Sequence, residues 1–152
     1  MKKLFAIALA LVLVASLSVT AFAANTTGGE ADITTSIAPT YTVTIPADVN
    51  VVFNATETAF GTIEVTASQI HPDKQIRVTL TTDGELNNTI DTTKVIPYVI
   101  KDASGAAFTT ATYLTEGDKT ELSIHITADD WNAAYAGDYT DTVTFTVSYE
   151  SK

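Results

Sequence analysis

The chain has 152 residues, with 8 Lys+Arg against 18 Asp+Glu, no Cys and a single Trp. The length suits one domain. The acidic balance excludes a nucleic-acid binder that works by neutralising phosphate, and it argues against docking on anionic lipid. The absence of Cys excludes a disulfide scaffold, a thiol nucleophile and any Cys-based zinc or iron–sulfur site.

Met1-Lys2-Lys3 is a short positive start, and Leu4 to Ala23 carries no charge. Ala21-Phe22-Ala23 places small residues where a signal peptidase needs them. This is the three-part secretory pattern, so residues 1–23 are expected to be a cleaved signal peptide of bacterial form. Ser16, Ser18 and Thr20 dilute the apolar stretch and weigh against a retained membrane anchor. Removing Lys2 and Lys3 leaves 6 basic residues against 18 acidic ones, a net charge of −12. Residues 24–30 are polar and contain Gly28-Gly29, which reads as a flexible leader. Residues 31–152 read as one domain.

Short runs of alternating apolar and polar residues follow. Tyr41, Val43 and Ile45 alternate with Thr42 and Thr44, and Val49, Val51 and Phe53 alternate next. Further runs are Ile63 and Val65; Ile76, Val78 and Leu80; Val95 to Ile100, broken by Pro97; and Leu122, Ile124 and Ile126. The last is an unbroken strand from Tyr139 to Tyr149, with Val143, Phe145 and Val147 on one face and Thr or Ser on the other. A period of two marks strands with one buried face. Asp83-Gly84, Ser104-Gly105, Glu116-Gly117 and Ala136-Gly137 supply turns. Weaker runs at Ile33–Ile37 and Phe108–Tyr113 raise the expected count from seven strands to eight or nine. The spacing, with no convincing amphipathic helix, predicts an all-β, immunoglobulin-like antiparallel β-sandwich, with a closed barrel as the alternative. Pro97 cannot donate a ladder hydrogen bond, so its strand belongs at an edge or a bulge.

The candidate sites each carry a plainer reading. Trp131 and Tyr135 could form a sugar platform; equally, Trp131 could plug the sandwich end while Tyr139 bonds the turn backbone. Asp83 and Glu85, and separately Asp129, Asp130 and Asp138, are weak Ca²⁺ candidates, since acidic and amide residues in turns are also ordinary turn formers. His71 and His125 have no His or Cys at metal spacing, and no catalytic motif is present, so no enzyme and no cofactor are expected. Ile33 and Ile37 could belong to the chain's own first strand, the favoured reading, or complete a neighbour's sheet. The strand through Tyr139, Val143, Phe145, Val147 and Tyr149 is an uncharged pairing surface if it lies at an edge.

Ala136-Gly137-Asp138-Tyr139-Thr140-Asp141 with the strand to Tyr149 resembles the Gly-x-Tyr-x-Asp closing strand of spore-coat-U and chaperone–usher pilin-type domains. Together with Tyr41-Thr42-Val43-Thr44-Ile45-Pro46-Ala47 it is also similar to a group of small secreted bacterial surface proteins. The resemblance implies an immunoglobulin-like sandwich with a surface or appendage role. Unlike many pilin-type domains, this chain has no disulfide. The expected function is therefore an exported, extracellular or cell-surface structural or adhesive protein. Its partners would be a second copy, through strand pairing, or a surface glycan or protein; the alternative is a monomeric carbohydrate-binding module using Trp131 and Tyr135.

Overall fold

The computed structural model of the chain describes residues 30–152. The expected signal peptide, residues 1–23, and residues 24–29 of the expected leader lie outside the described residues. Ten strands and one short helix follow in chain order. They are β1 (Thr40–Thr44), β2 (Glu57–Gln69), β3 (Lys74–Thr81), β4 (Glu85–Asn88) and β5 (Val95–Pro97). Then come β6 (Val99–Asp102), β7 (Thr110–Tyr113), β8 (Lys119–His125), α1 (Ala128–Ala133), β9 (Tyr139–Thr140) and β10 (Thr144–Ser151). The fold is all-β apart from α1. Its three sheets have the orders β1-β2-β8-β6, β10-β3-β7 and β5-β4-β9, and every pairing is antiparallel.

The alternation read from the sequence sets which face each strand buries. Ile76, Val78 and Leu80 on β3, Ile63 and Val65 on β2, and Leu122 and Ile124 on β8 are buried. With Ile96, Tyr98, Ile100, Phe108, Tyr113 and Ile126 they form one core cluster that draws on all three sheets. Each such Val or Ile contributes roughly 1.5–3 kcal/mol by leaving water. β2 carries a bulge between Ala59 and Gly61. There Pro46 crosses the strand so closely that a Cβ on Gly61 would lie 3.1 Å from the proline's Cβ, and Gly61 holds a φ of +134°. Only glycine meets both demands.

Four expectations are corrected. Residues 31–38 form no strand in the chain's own sheets, and Ile33 and Ile37 are exposed. Val49, Val51 and Phe53 form no strand either: only Val51 packs on the core, and Asn54 turns the chain with a φ of +65°. The single closing strand from Tyr139 to Tyr149 is two strands in different sheets, β9 and β10, joined by Asp141–Val143. Asp141 turns its carboxylate onto Thr142 N–H at 2.6 Å, a local bond that takes the backbone out of the ladder. Finally, Glu85–Asn88, read from its composition as a turn, is a strand paired on both sides. The Val95–Ile100 run divides at Tyr98, and both pieces, β5 with Pro97 and β6, sit at sheet edges.

Candidate functional site

The Gly-x-Tyr-x-Asp residues knot the sheets together. Gly137 has a φ of +145°, and a Cβ there would meet the Asn88 amide nitrogen at 2.6 Å. Asn88 is buried, and its Oδ1 accepts from Ile90 N–H at 3.0 Å and Asp91 N–H at 3.1 Å. Tyr139 pairs with Asn88 in the ladder and donates its hydroxyl to the Tyr135 carbonyl at 2.9 Å. Asp141 accepts the hydroxyl hydrogen bond of the buried Tyr98, whose oxygen also lies 2.8 Å from the Thr82 hydroxyl. Burial, reinforced by the Asp141 carboxylate, pushes the Tyr98 phenol far above its ordinary value of 10.0. All three motif residues thus hold the chain where it crosses between sheets.

α1 is positioned by Thr127, whose hydroxyl accepts from Asp130 N–H at 3.1 Å. Asp129 and Asp130 lie in its first turn, where negative charge suits the helix dipole. The helix presents Trp131, which packs against the core and donates its indole N–H to the Ala55 carbonyl at 2.9 Å. The Phe53 ring meets the indole edge-on, with centroids 5.6 Å apart. Tyr135 is exposed, with the Lys94 ammonium 4.8 Å from its ring centroid. Trp131 and Tyr135 therefore differ: one is built into the end of the fold, the other faces water.

The Ca²⁺ candidates do not come together. Asp83 accepts from the Glu85 backbone N–H at 3.1 Å, a local turn bond. Glu85 pairs in β4, Asp129 and Asp130 belong to α1, and Asp138 gives its backbone carbonyl to Thr89. Among the described residues no three His, Asp or Glu side chains converge as metal ligands would.

Sequence reasoning missed one grouping. Register places Glu57 opposite His125 on the outer face of the β1-β2-β8-β6 sheet. Ser123 Oγ lies 2.9 Å from His125 Nε2, and Glu57 Oε1 lies 3.7 Å from the same nitrogen. A shallow hollow of about 330 Å³ beside them takes in Glu57, Glu121 and Ser123. In a hydrolytic triad the acid orients the imidazole from the nitrogen opposite the nucleophile. Here both partners meet one nitrogen, which is the geometry of a polar surface row. Only the pairing of β2 with β8 brings Glu57 in; the sequence signal was limited to Ser123 and His125 on one face.

The assembly candidates divide. Val143, Phe145 and Val147 pack only partly against the core, and the Tyr149 ring lies 5.7 Å from that of Tyr41. Phe145 meets Phe60 at 6.0 Å. Among the described residues β10 pairs only with β3, and β1 only with β2, so each has one edge without a partner there, and the Tyr41–Tyr149 contact puts those strands on one side of the fold. Tyr139 belongs to another sheet. The same side is therefore open in both layers, and the apolar face of each edge strand is half-covered. Among the described residues no helix is long and apolar enough to cross a membrane.

Comparison with protein-family models, with curated proteins and with solved structures finds no match to this chain.

Proposed function

We propose that the chain is an exported bacterial structural protein of the cell surface or extracellular space, an appendage or coat subunit that assembles through its strand edges. The observation that carries this reading is the open side between β1 and β10. Among the described residues it has two unpaired edges, half-covered aromatic and aliphatic side chains, and nearby an eight-residue segment, residues 31–38, without a sheet partner. Ile33 and Ile37 are 98% and 68% exposed and share one face of that segment if it is extended. A second copy's segment would cover the open side, since strand addition satisfies backbone groups at an edge and places alternate side chains in a groove. The sheet orders, four strands against three over a common core, support the immunoglobulin-like sandwich assignment. The signal-like residues 1–23 support export. Its working groups are backbone edges and no catalytic side chain is assigned.

Light scattering after size exclusion tests the proposal on residues 24–152 beside the same chain lacking 25–40. Large species from the first and a folded monomer from the second support strand-mediated assembly. A monomer from both, at all salt and Ca²⁺ concentrations, overturns it. Attention would then return to a glycan ligand at Tyr135, because Trp131 is held by its own core contacts.

A further inference from the structure

An open sheet edge invites pairing with another chain, and folds blunt such edges with short strands, bulges, proline, charge or a covering loop. Among the described residues every edge strand but one is blunted in one of these ways. β1 has five residues, a bulge between Thr42 and Val43, and Pro39 and Pro46 on its flanks. β6 is covered by its own chain: Phe108 N–H bonds the Ile100 carbonyl, and Asp102 N–H bonds the Ala106 carbonyl. β7 has four residues, β5 three with Pro97 among them, and β9 two. β10 differs. It has eight residues without proline, and it pairs with β3 in unbroken register from Thr144 to Ser151. Its one charged side chain, Glu150, is held by Arg77 and Gln75 of β3.

The register fixes which backbone groups this edge offers. Lys152 N–H bonds the Asp73 carbonyl, one step beyond the pairing of Ser151 with Lys74. Leu80, opposite Phe145, sends its N–H the other way, to the Thr109 carbonyl. By the alternation of an antiparallel ladder, Thr144, Thr146, Ser148 and Glu150 bond β3. Phe145, Val147, Tyr149 and Ser151 turn their N–H and C=O groups to the open side. Phe145, Val147 and Tyr149 are also the half-covered side chains of the strand's apolar face. The unpaired backbone and the uncovered apolar surface therefore belong to the same residues.

We infer that β10 pairs antiparallel with β10 of a second copy, about a two-fold axis at Val147, joining the two β10-β3-β7 sheets into one. This rests on the self-assembly reading above and names the partner of one of its two edges; β1 and residues 31–38 take no part in it. A two-fold contact sets the strand against itself, so β10 alone decides whether the surfaces match. With Val147 facing the partner's Val147, Phe145 faces the partner's Tyr149, and each such pair exchanges both backbone hydrogen bonds. On the outer face Thr146 meets the partner's Ser148 and Glu150 meets the partner's Thr144, so no like charges oppose. An axis at Ser148 would set Phe145 against Ser151 and lose the aromatic pair. Residues 31–38 suit this edge less. An antiparallel run with Ile33 against Tyr149 and Ile37 against Phe145 puts Asp32 opposite Glu150, and like charges directly opposed are destabilising. The pair engages the eight residues of β10 on each side. Stable complexes use roughly 20–30 a side, so this contact alone is weak. A chain lacking 31–38 should run as a monomer when dilute and reach a dimer at high concentration.

Sedimentation of residues 24–152 over a concentration series tests it. Val147→Pro removes an N–H that points to the open side and spares the β3 ladder, a place where an edge strand accepts proline. It should weaken association at least about tenfold. Thr144 and Thr112 are both exposed, on β10 and β7 of the same sheet. Thr144→Glu sets a second carboxylate opposite the partner's Glu150 and should weaken association about threefold or more; Thr144→Lys should strengthen it. The same changes at Thr112 should do neither. The chain has no Cys, so a single one reports the register. Val147→Cys should give a disulfide-linked dimer on mild oxidation, since directly paired residues lie within disulfide reach, and Thr112→Cys should not. Association that survives deletion of 31–38 and is lost with Val147→Pro supports the pair independently of that segment. If the β10 variants associate like the parent while deletion of 31–38 abolishes assembly, the β10 pair is wrong and exchange of the segment stands. If Thr144→Glu and Thr144→Lys shift association the same way, the pair is also wrong. A parent that stays monomeric at the highest concentration reached overturns both.

Discussion

β3 and β10 are hydrogen-bonded neighbours in one sheet with almost the same chemistry. Ile76, Val78 and Leu80 on one strand stand in register with Tyr149, Val147 and Phe145 on the other. The β3 residues are buried and those of β10 are not. The difference is positional. Among the described residues β3 has a strand on either side, whereas β10 has one, and the opposite layer stops at β1. Amphipathic patterning tells which face of a strand is apolar; coverage depends on how far the facing sheet extends. A side left half-covered along both layers forgoes part of the hydrophobic stabilisation of each side chain there. That shortfall is what a partner strand would recover.

The largest expected effect measures the closed region. Ile76→Ala should destabilise the fold by about 3 kcal/mol in urea unfolding, through lost burial and a cavity. Val147→Ala, one ladder step away on the open side, should cost about 1 kcal/mol or less, because part of its surface already meets water. Equal costs would erase the contrast. Tyr98→Phe should cost about 2 kcal/mol, since it strips the Asp141 carboxylate and the Thr82 hydroxyl of a buried partner. Tyr98 also gives an alkaline signature. Its folded pKa lies above the ordinary 10.0, so the stability it contributes is complete below pH 10 and declines as pH rises beyond it. Tyr98→Phe should remove that decline. Deleting residues 31–38 should shift the unfolding free energy of the monomer by no more than about 0.5 kcal/mol, as expected for residues outside the packed fold. A large loss would place the segment back in the chain's own sheet.

How much of this was legible beforehand follows from what a single chain encodes locally. The alternation of Ile76, Val78 and Leu80, or of Leu122, Ile124 and Ile126, is a local property, and it identified both strands and their buried faces. For Pro97 the sequence left an edge or a bulge, because a missing N–H is a local fact, and the structure has the edge. The break at Asp141 was not legible. The run from Tyr139 to Tyr149 alternates throughout, and the Asp141 bond to Thr142 N–H, though local, leaves no mark on that pattern; the contact of Asp141 with Tyr98, distant in sequence, fixes where the chain changes sheets. Likewise Glu85–Asn88 looks like a turn until Pro97–Val95 and Tyr139–Thr140 pair with it from both sides. Gly137 was visible as a turn former. Its closer role, making room for the Asn88 amide, required the third dimension. The residues 31–38 misled for the converse reason: a strand-like pattern states a preference, and a strand needs a neighbour.

The smallest expected effect is in acid, and it compares the two regions once more. Hydrogen bonds from the Leu114 and Thr115 backbone N–H groups hold the Asp118 carboxyl below its ordinary 3.8 at the β7–β8 turn. On β10, the Arg77 guanidinium and then the Gln75 amide hold Glu150 below its ordinary 4.5. Both carboxylates bind protons more weakly folded than unfolded. Their contribution is therefore complete above those ordinary values and is lost as pH falls through the lower folded ones. Both are partly open to water, so the loss is a local loosening with little effect on global unfolding. Amide exchange should rise on acidification at Leu114 and Thr115, and Asp118→Asn should make their exchange insensitive to that protonation. Glu150→Gln should act differently. It removes a cross-strand tie from a strand bonded on one edge only, so exchange should rise along β10 even at neutral pH. β3 should keep its protection through its second neighbour, β7. A β10 that exchanges as slowly as β3 after this change would mean that its free edge is already covered in solution, and comparison with the chain lacking 31–38 would show whether that segment covers it.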